Sequence, residues 1–176
     1  LLEGILAAEA AGFTGLKLNV VLIGGFNDDE IEEFAALTRE HPWEVRFLEL
    51  MPMGPCAGWP QACFLSGEAV LRRLPSPEPL PARGVARRYR IPGAAGTVGL
   101  ISPLSHAFCG DCRRVRITAD GHFKPCLHSR EEISLPALCG EALEAAIRRG
   151  IRGKPRTHHL TERPSDTPRN MNQIGG

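Results

Sequence analysis

The chain has 176 residues, 43% of them hydrophobic, and its 21 Lys and Arg against 20 Asp and Glu leave a formal net charge of +1. That length allows one domain or two small ones, and the balanced charge gives no general electrostatic reason to expect nucleic acid or an anionic membrane. No apolar run approaches the ~18 to 20 residues needed to span a bilayer. Leu1-Leu2-Glu3 also lacks the basic flank of a signal peptide, so the expectation is a globular cytoplasmic protein.

In chain order, residues 2–11 read as a helix closed by Gly12, as though the chain began inside an element of a larger protein. Residues 16–23 read as a strand ended by Gly24-Gly25. Asn27 followed by Glu30 has the spacing of an N-cap and its capping-box partner, and the helix it opens runs to Glu40, before Pro42. Residues 45–50 form the next strand, so the segment predicts a βαβ unit with parallel strands and a right-handed crossover. Lys17 alternates with Leu16 and Leu18. Its ammonium therefore lies on the face opposite those leucines, either as an interior cation seeking an anion or as a solvated lysine. Met51, at the end of the second strand, reads as a core residue.

Residues 55–63 form a Gly/Pro-rich loop carrying Cys56 and Cys63, read as free thiols, and Ser66 is expected to cap a short helix reaching Leu74. Pro75, Pro77, Pro79 and Pro81 are expected to forbid regular structure. Short strands are predicted around 85–91 and 97–102, then a hairpin of 115–118 and 122–124 over Asp120-Gly121. A helix near 138–149, holding Cys139 as a small buried hydrophobe, is expected to close at Gly150. Residues 151–176 are polar and aperiodic and read as a mobile tail.

Six cysteines without a secretory signal favour metal or catalytic use over a disulfide framework. Cys109-x2-Cys112 is followed by Cys126, and Arg114 and Arg116 stand directly beside the pair. Three thiolates can hold an iron–sulfur cluster through three irons and leave a fourth open to a substrate. The same cysteines with His106, His122 or His128 would also make a Cys3His zinc site. If residues 114–118 are a strand, Arg114 and Arg116 share a face and suit a phosphorylated ligand, although a solvated strand face has the same pattern.

Several stretches together resemble the molybdenum cofactor biosynthesis protein A family, the radical S-adenosylmethionine GTP 3′,8-cyclases. They are Leu16-Lys17-Leu18-Asn19, Gly25-Phe26-Asn27-Asp28-Asp29-Glu30, residues 45–54, Val98-Gly99-Leu100-Ile101-Ser102-Pro103, the Cys109 to Cys126 hairpin, and Ile174-Gly175-Gly176. The resemblance implies an α/β fold: the C-terminal portion of a partial (β/α)6 TIM-type barrel, followed by a C-terminal α+β iron–sulfur domain. It places barrel in residues 1–74, the second-cluster and GTP-binding domain in 75–150, and a tail ending in Gly-Gly in 151–176.

The family reaction converts GTP to 3′,8-cyclo-7,8-dihydro-GTP, for use by a downstream cyclic pyranopterin monophosphate synthase. By the same resemblance Cys109, Cys112 and Cys126 bind a [4Fe–4S] cluster, Lys17, Arg114 and Arg116 bind GTP, and Met51 lines the S-adenosylmethionine site. Gly175 and Gly176 serve cyclisation, and a homodimer is compatible. The family's Cys-x3-Cys-x2-Cys, which holds the cluster that cleaves S-adenosylmethionine, is absent from this chain. The expectation is therefore roughly the second half of the enzyme, inactive alone. The alternatives are a zinc-stabilised binding module for nucleotide or nucleic acid, and a different radical enzyme with an auxiliary cluster.

Overall fold

The structure, a computed structural model, describes residues 2–174 of a mixed α/β chain that divides into two compact units. Gly175 and Gly176 lie outside the described residues. Among these residues no helix is long and apolar enough to cross a membrane.

The first unit takes Leu1–Leu50 and Pro60–Ala107. Helix α1, Leu2–Ala10, precedes strand β1, Lys17–Leu22, and helix α2, Ile31–Glu40, carries the chain to strand β2, Glu44–Glu49. Lys17 pairs with Glu44 and Leu22 with Glu49, in parallel, which is the expected βαβ unit. The capping expectation is corrected. A 3-10 turn, Asp28–Glu30, precedes α2, and the Asn27 side chain closes the preceding turn instead. Its Oδ1 accepts from Ile23 N at 2.9 Å and its Nδ2 donates to Val21 O at 3.0 Å.

Helix α3, Gly67–Leu71, follows, then strands β3, Glu78–Arg83, β4, Ala86–Arg90, and β5, Thr97–Ile101. The sheet order is β1-β2-β5-β4-β3, with β5 parallel to β2 and the last two strands antiparallel. Residues 75–107 thus share a sheet with β1 and β2. Pro79 and Pro81 stand inside β3, contrary to the reading that prolines exclude structure there. β3 is an edge strand with a register shift between Leu80 and Arg83, and edges and bulges are where a strand tolerates proline's missing N–H. One face of the sheet carries Val20, Leu22, Val45, Phe47, Val98 and Leu100 into a core with Ile31 and Ala35 of α2. Lys17, Asn19 and Val21 occupy the opposite, exposed face of β1.

The second unit takes Met51–Trp59 and Phe108–Gly176. Strands β6, Arg116–Ile117, β7, His122–Lys124, and β8, Ile133–Ser134, form a three-stranded antiparallel sheet. Helix α4, Gly140–Arg152, passes through Gly150 rather than stopping there, and Gly153 is its C-cap. A Cβ at Gly150 would meet Phe123 Cε1 at 2.4 Å and Ile133 Cδ1 at 3.1 Å, so the glycine serves close helix–sheet packing. Cys139 is likewise corrected: it is exposed at the N-cap of α4.

The stretch after α4 is held, not a loose tail. Leu160 and Ile174 are buried, Ser165 N donates to Pro52 O at 2.9 Å, and Asn170 and Gln173 form a capping box around a 3-10 turn, Met171–Gln173. Arg169 grips Glu132 through Nε and Nη2, at 2.8 and 2.7 Å, and Asp120 through Nη2 at 2.9 Å. Hydrophobic periodicity carries no trace of this ion-pair clamp.

Candidate cluster and anion site

The site grows out of a short turn. A 3-10 turn, Cys109–Asp111, is closed by Cys112 N donating to Cys109 O at 3.1 Å, so the pair is presented from one bend. The chain then runs extended into β6. At the hairpin end Gly121 takes a φ of 77°, open to glycine at little cost, and donates to Thr118 O at 2.9 Å. Thr118 Oγ1 accepts from His122 N at 2.8 Å. Arg116 pairs with Lys124 and Ile117 with Phe123, so the returning strand leads back past the arginine segment towards Cys126.

Cys109, Cys112 and Cys126 form no disulfide and are half-buried. Lys154, two residues beyond α4, ties their segments together. Its Nζ donates to Arg114 O at 2.7 Å and Pro125 O at 3.0 Å and lies 3.6 Å from Cys112 Sγ. Nothing in the local sequence marked this lysine, because its partners are 29 to 42 residues away. Among the described residues no group of three His, Cys, Asp or Glu side chains converges on a single metal-ion position. By donor chemistry, a soft set of three thiolates fits an iron–sulfur cluster, and with a fourth ligand it fits zinc as well.

Arg114, Val115, Arg116 and Ile117 line a cavity of about 370 Å³, within the range of small-ligand pockets. β6 begins only at Arg116, so Arg114 precedes the ladder, yet both guanidinium-bearing residues line the same opening. Burial, and then the neighbouring charge of Arg114, push the Arg116 pKa down from its ordinary value. Two guanidinium-bearing residues lining one cavity suit an anionic ligand.

His128, two residues past Cys126, is buried, faces Ser165 Oγ at 3.2 Å and stands edge-on to His158 at 5.7 Å. Burial, followed by the charges of His158, His159, Lys124 and Arg116, lowers its pKa to about 4. It is neutral near pH 7 and adds no charge to the site.

Lys17 belongs to the first unit. It begins β1 beside Glu44 and lines a cavity of about 180 Å³ with Arg83, Arg88, Arg90 and Thr97. Glu44 also lines it, with Oε1 accepting from Arg46 Nε at 2.7 Å and Oε2 3.7 Å from Arg88 Nε, so its cationic residues outnumber its one carboxylate. The alternation of arginines at 88 and 90 in β4 is the sequence signal of this second basic cavity. Met51 is half-buried at the start of the second unit, with its carbonyl accepting from Met53 N at 2.8 Å.

Residues 43–160 match the Molybdenum Cofactor Synthesis C family. The chain is 48% identical over 181 residues to a GTP 3′,8-cyclase of Alkaliphilus metalliredigens (strain QYMF), covering 99% of this chain and 57% of that protein. It is 46% identical to the GTP 3′,8-cyclase of Alkaliphilus oremlandii (strain OhILAs), with the same coverage, and 47% identical to that of Peptoclostridium acidaminophilum, covering 99% of this chain and 55% of that protein. The chain thus spans a little over half the length of these curated relatives.

Proposed function

The chain belongs to the Molybdenum Cofactor Synthesis C family, and from that premise we propose that it forms the substrate-binding and second-cluster part of a GTP 3′,8-cyclase, a lyase of molybdenum cofactor biosynthesis. The observation that carries this reading is the Cys109–Cys112 turn leading directly into a cavity lined by Arg114 and Arg116, with the hairpin returning Cys126 to the same region. In this reading Cys109, Cys112 and Cys126 hold a [4Fe–4S] cluster. When bound, that group supplies an iron without a protein ligand, open to a donor atom of the substrate.

The chain's own residues bind and orient. Arg114 and Arg116 offer planar forks matched to phosphate oxygens. Lys17 contributes a second point of GTP contact, and Met51 an apolar contact for S-adenosylmethionine. Gly175 and Gly176 act at the cyclisation step. The parallel strands β1, β2 and β5 are, on this reading, staves of a partial (β/α)6 barrel, and the part of the 75–150 domain that carries the cluster and the two arginines is its second-unit portion, from Phe108 on, followed by 151–176. The cluster that generates the radical belongs to sequence outside this chain, and the product passes to a cyclic pyranopterin monophosphate synthase.

The test is anaerobic reconstitution with iron and sulfide, followed by metal analysis and GTP titration. About four irons per chain are expected for one such cluster. Arg114→Ala and Arg116→Ala should each weaken GTP about 10-fold or more, and Arg→Lys nearly as much, because a point charge cannot reproduce a fork. One zinc per chain with no iron, or unchanged GTP affinity in the double Ala variant, would count decisively against the assignment.

A further inference from the structure

We propose that Lys154 is a positioning residue for the cysteine–arginine site, holding Cys112 and the segments of Arg114 and Cys126 in one arrangement and setting the reduction potential of the group those cysteines bind. The proposal rests on the cluster reading above. Its basis is the use made of the ammonium. A lysine has three N–H donors and no acceptor. Here three acceptors surround Nζ: Arg114 O at 2.7 Å, Pro125 O at 3.0 Å and Cys112 Sγ at 3.6 Å. A lysine solvated at a helix end has no reason to choose two carbonyls and a sulfur from separate chain segments.

The backbone beneath it is held as well. Gly153 N donates to Arg149 O at 2.9 Å and Lys154 N to Ile151 O at 3.3 Å, which fixes the residue to the end of α4. Helix α4 is itself seated on β7 by the contact of Gly150 with Phe123. A rigid chain of contacts therefore runs from the hairpin through the helix to the ammonium. Pro125 immediately precedes Cys126, so the two carbonyls that Lys154 bridges control the entry of one ligand and the exit from another.

The electrostatic consequence follows from charge alone. Reduction adds one electron, supplied by a chemical reductant, to a group ligated by thiolates, and a cation donating to one of those sulfurs favours the more negative state. Lys154→Met keeps the length and removes both the charge and the donors. Lys154→Arg keeps both. Lys154→Gln keeps donors and removes the charge.

The purified chain is reconstituted with iron and sulfide, iron release to a chelator is timed, and the reduction potential is measured by titration with a one-electron reductant. Lys154→Met should release iron about 10-fold faster and have a more negative potential. Lys154→Arg should restore both towards the values of the unsubstituted chain. Should Lys154→Met fail to fold by circular dichroism, Lys154→Gln decides, with a more negative potential expected. A substituted chain with unchanged release rate and potential overturns the proposal while leaving the cluster reading intact. An unsubstituted chain that takes up no iron overturns the cluster reading, and this proposal with it.

Discussion

At the scale of single residues, two positions show how the fold uses groups that sequence rules misjudge. Gly150 sits where a Cβ would stand 2.4 Å from the Phe123 ring, in the interior of α4. Helix propensity favours Ala there by roughly 1 kcal/mol, but overpacking costs about 1 to 3 kcal/mol. Gly150→Ala should therefore lower stability, read as an earlier midpoint in urea denaturation, and a gain would show that the helix can move off the sheet. Glu49 is the second position. It is buried at the end of β2, and its carboxylate accepts from Gly67 N, Leu104 N and Ser105 N at 2.9 to 3.0 Å and from the Ser105 hydroxyl. Glu49, not Ser66, caps α3, since the Ser66 side chain makes no cap bond. Removing the acceptor in Glu49→Leu strands these N–H groups, at a cost of about 2 to 4 kcal/mol, measurable in the same denaturation.

At the scale of elements, the second unit depends on the clamp between the segment after α4 and the hairpin. Arg169 holds both Glu132 and Asp120, and its hydrogen bonds are the first cause pushing both carboxyls below their ordinary range. Arg169 is correspondingly pushed up by Glu132 and then Asp120. For a carboxyl whose folded pKa is depressed, the stabilisation is fully present above the unfolded value, about 4, and is lost as pH falls towards the folded value. The clamp should thus hold at neutral pH and loosen progressively below about pH 4. Hydrogen exchange of residues 160–174 is expected to show protection at pH 7, in excess of that in Arg169→Ala, with the difference shrinking on acidification. Equal protection in both proteins at pH 7 would mean that burial of Leu160 and Ile174 suffices.

At the scale of the whole molecule, the chain spans a little over half of its curated relatives, and its six cysteines contain no Cys-x3-Cys-x2-Cys. The expected outcome is that the iron-loaded chain by itself forms no 5′-deoxyadenosine from S-adenosylmethionine, while still binding GTP. Detection of 5′-deoxyadenosine above a chain-free control would refute this division of labour. β1 is an edge of its sheet and exposes Val21 to 43% on the face opposite the core, which makes the isolated chain prone to associate.

What the sequence by itself determined was local. The βαβ unit followed from period-two and helical patterning within residues 16–50, and the hairpin from Asp120-Gly121 between two short strands. The cysteine and arginine set was legible because Cys109, Cys112, Arg114 and Arg116 lie within eight residues of one another. Tertiary structure decided the features whose causes are distant in sequence. Pro79 and Pro81 could join a strand because β3 is an edge strand of the sheet among the described residues. Gly150 stayed helical because Phe123 fills the space a side chain would need. Arg169 found carboxylates 37 and 49 residues earlier, and Lys154 found a sulfur 42 residues earlier. Periodicity and turn chemistry report only what neighbours along the chain impose, whereas these contacts exist because folding brings separate segments within hydrogen-bond reach.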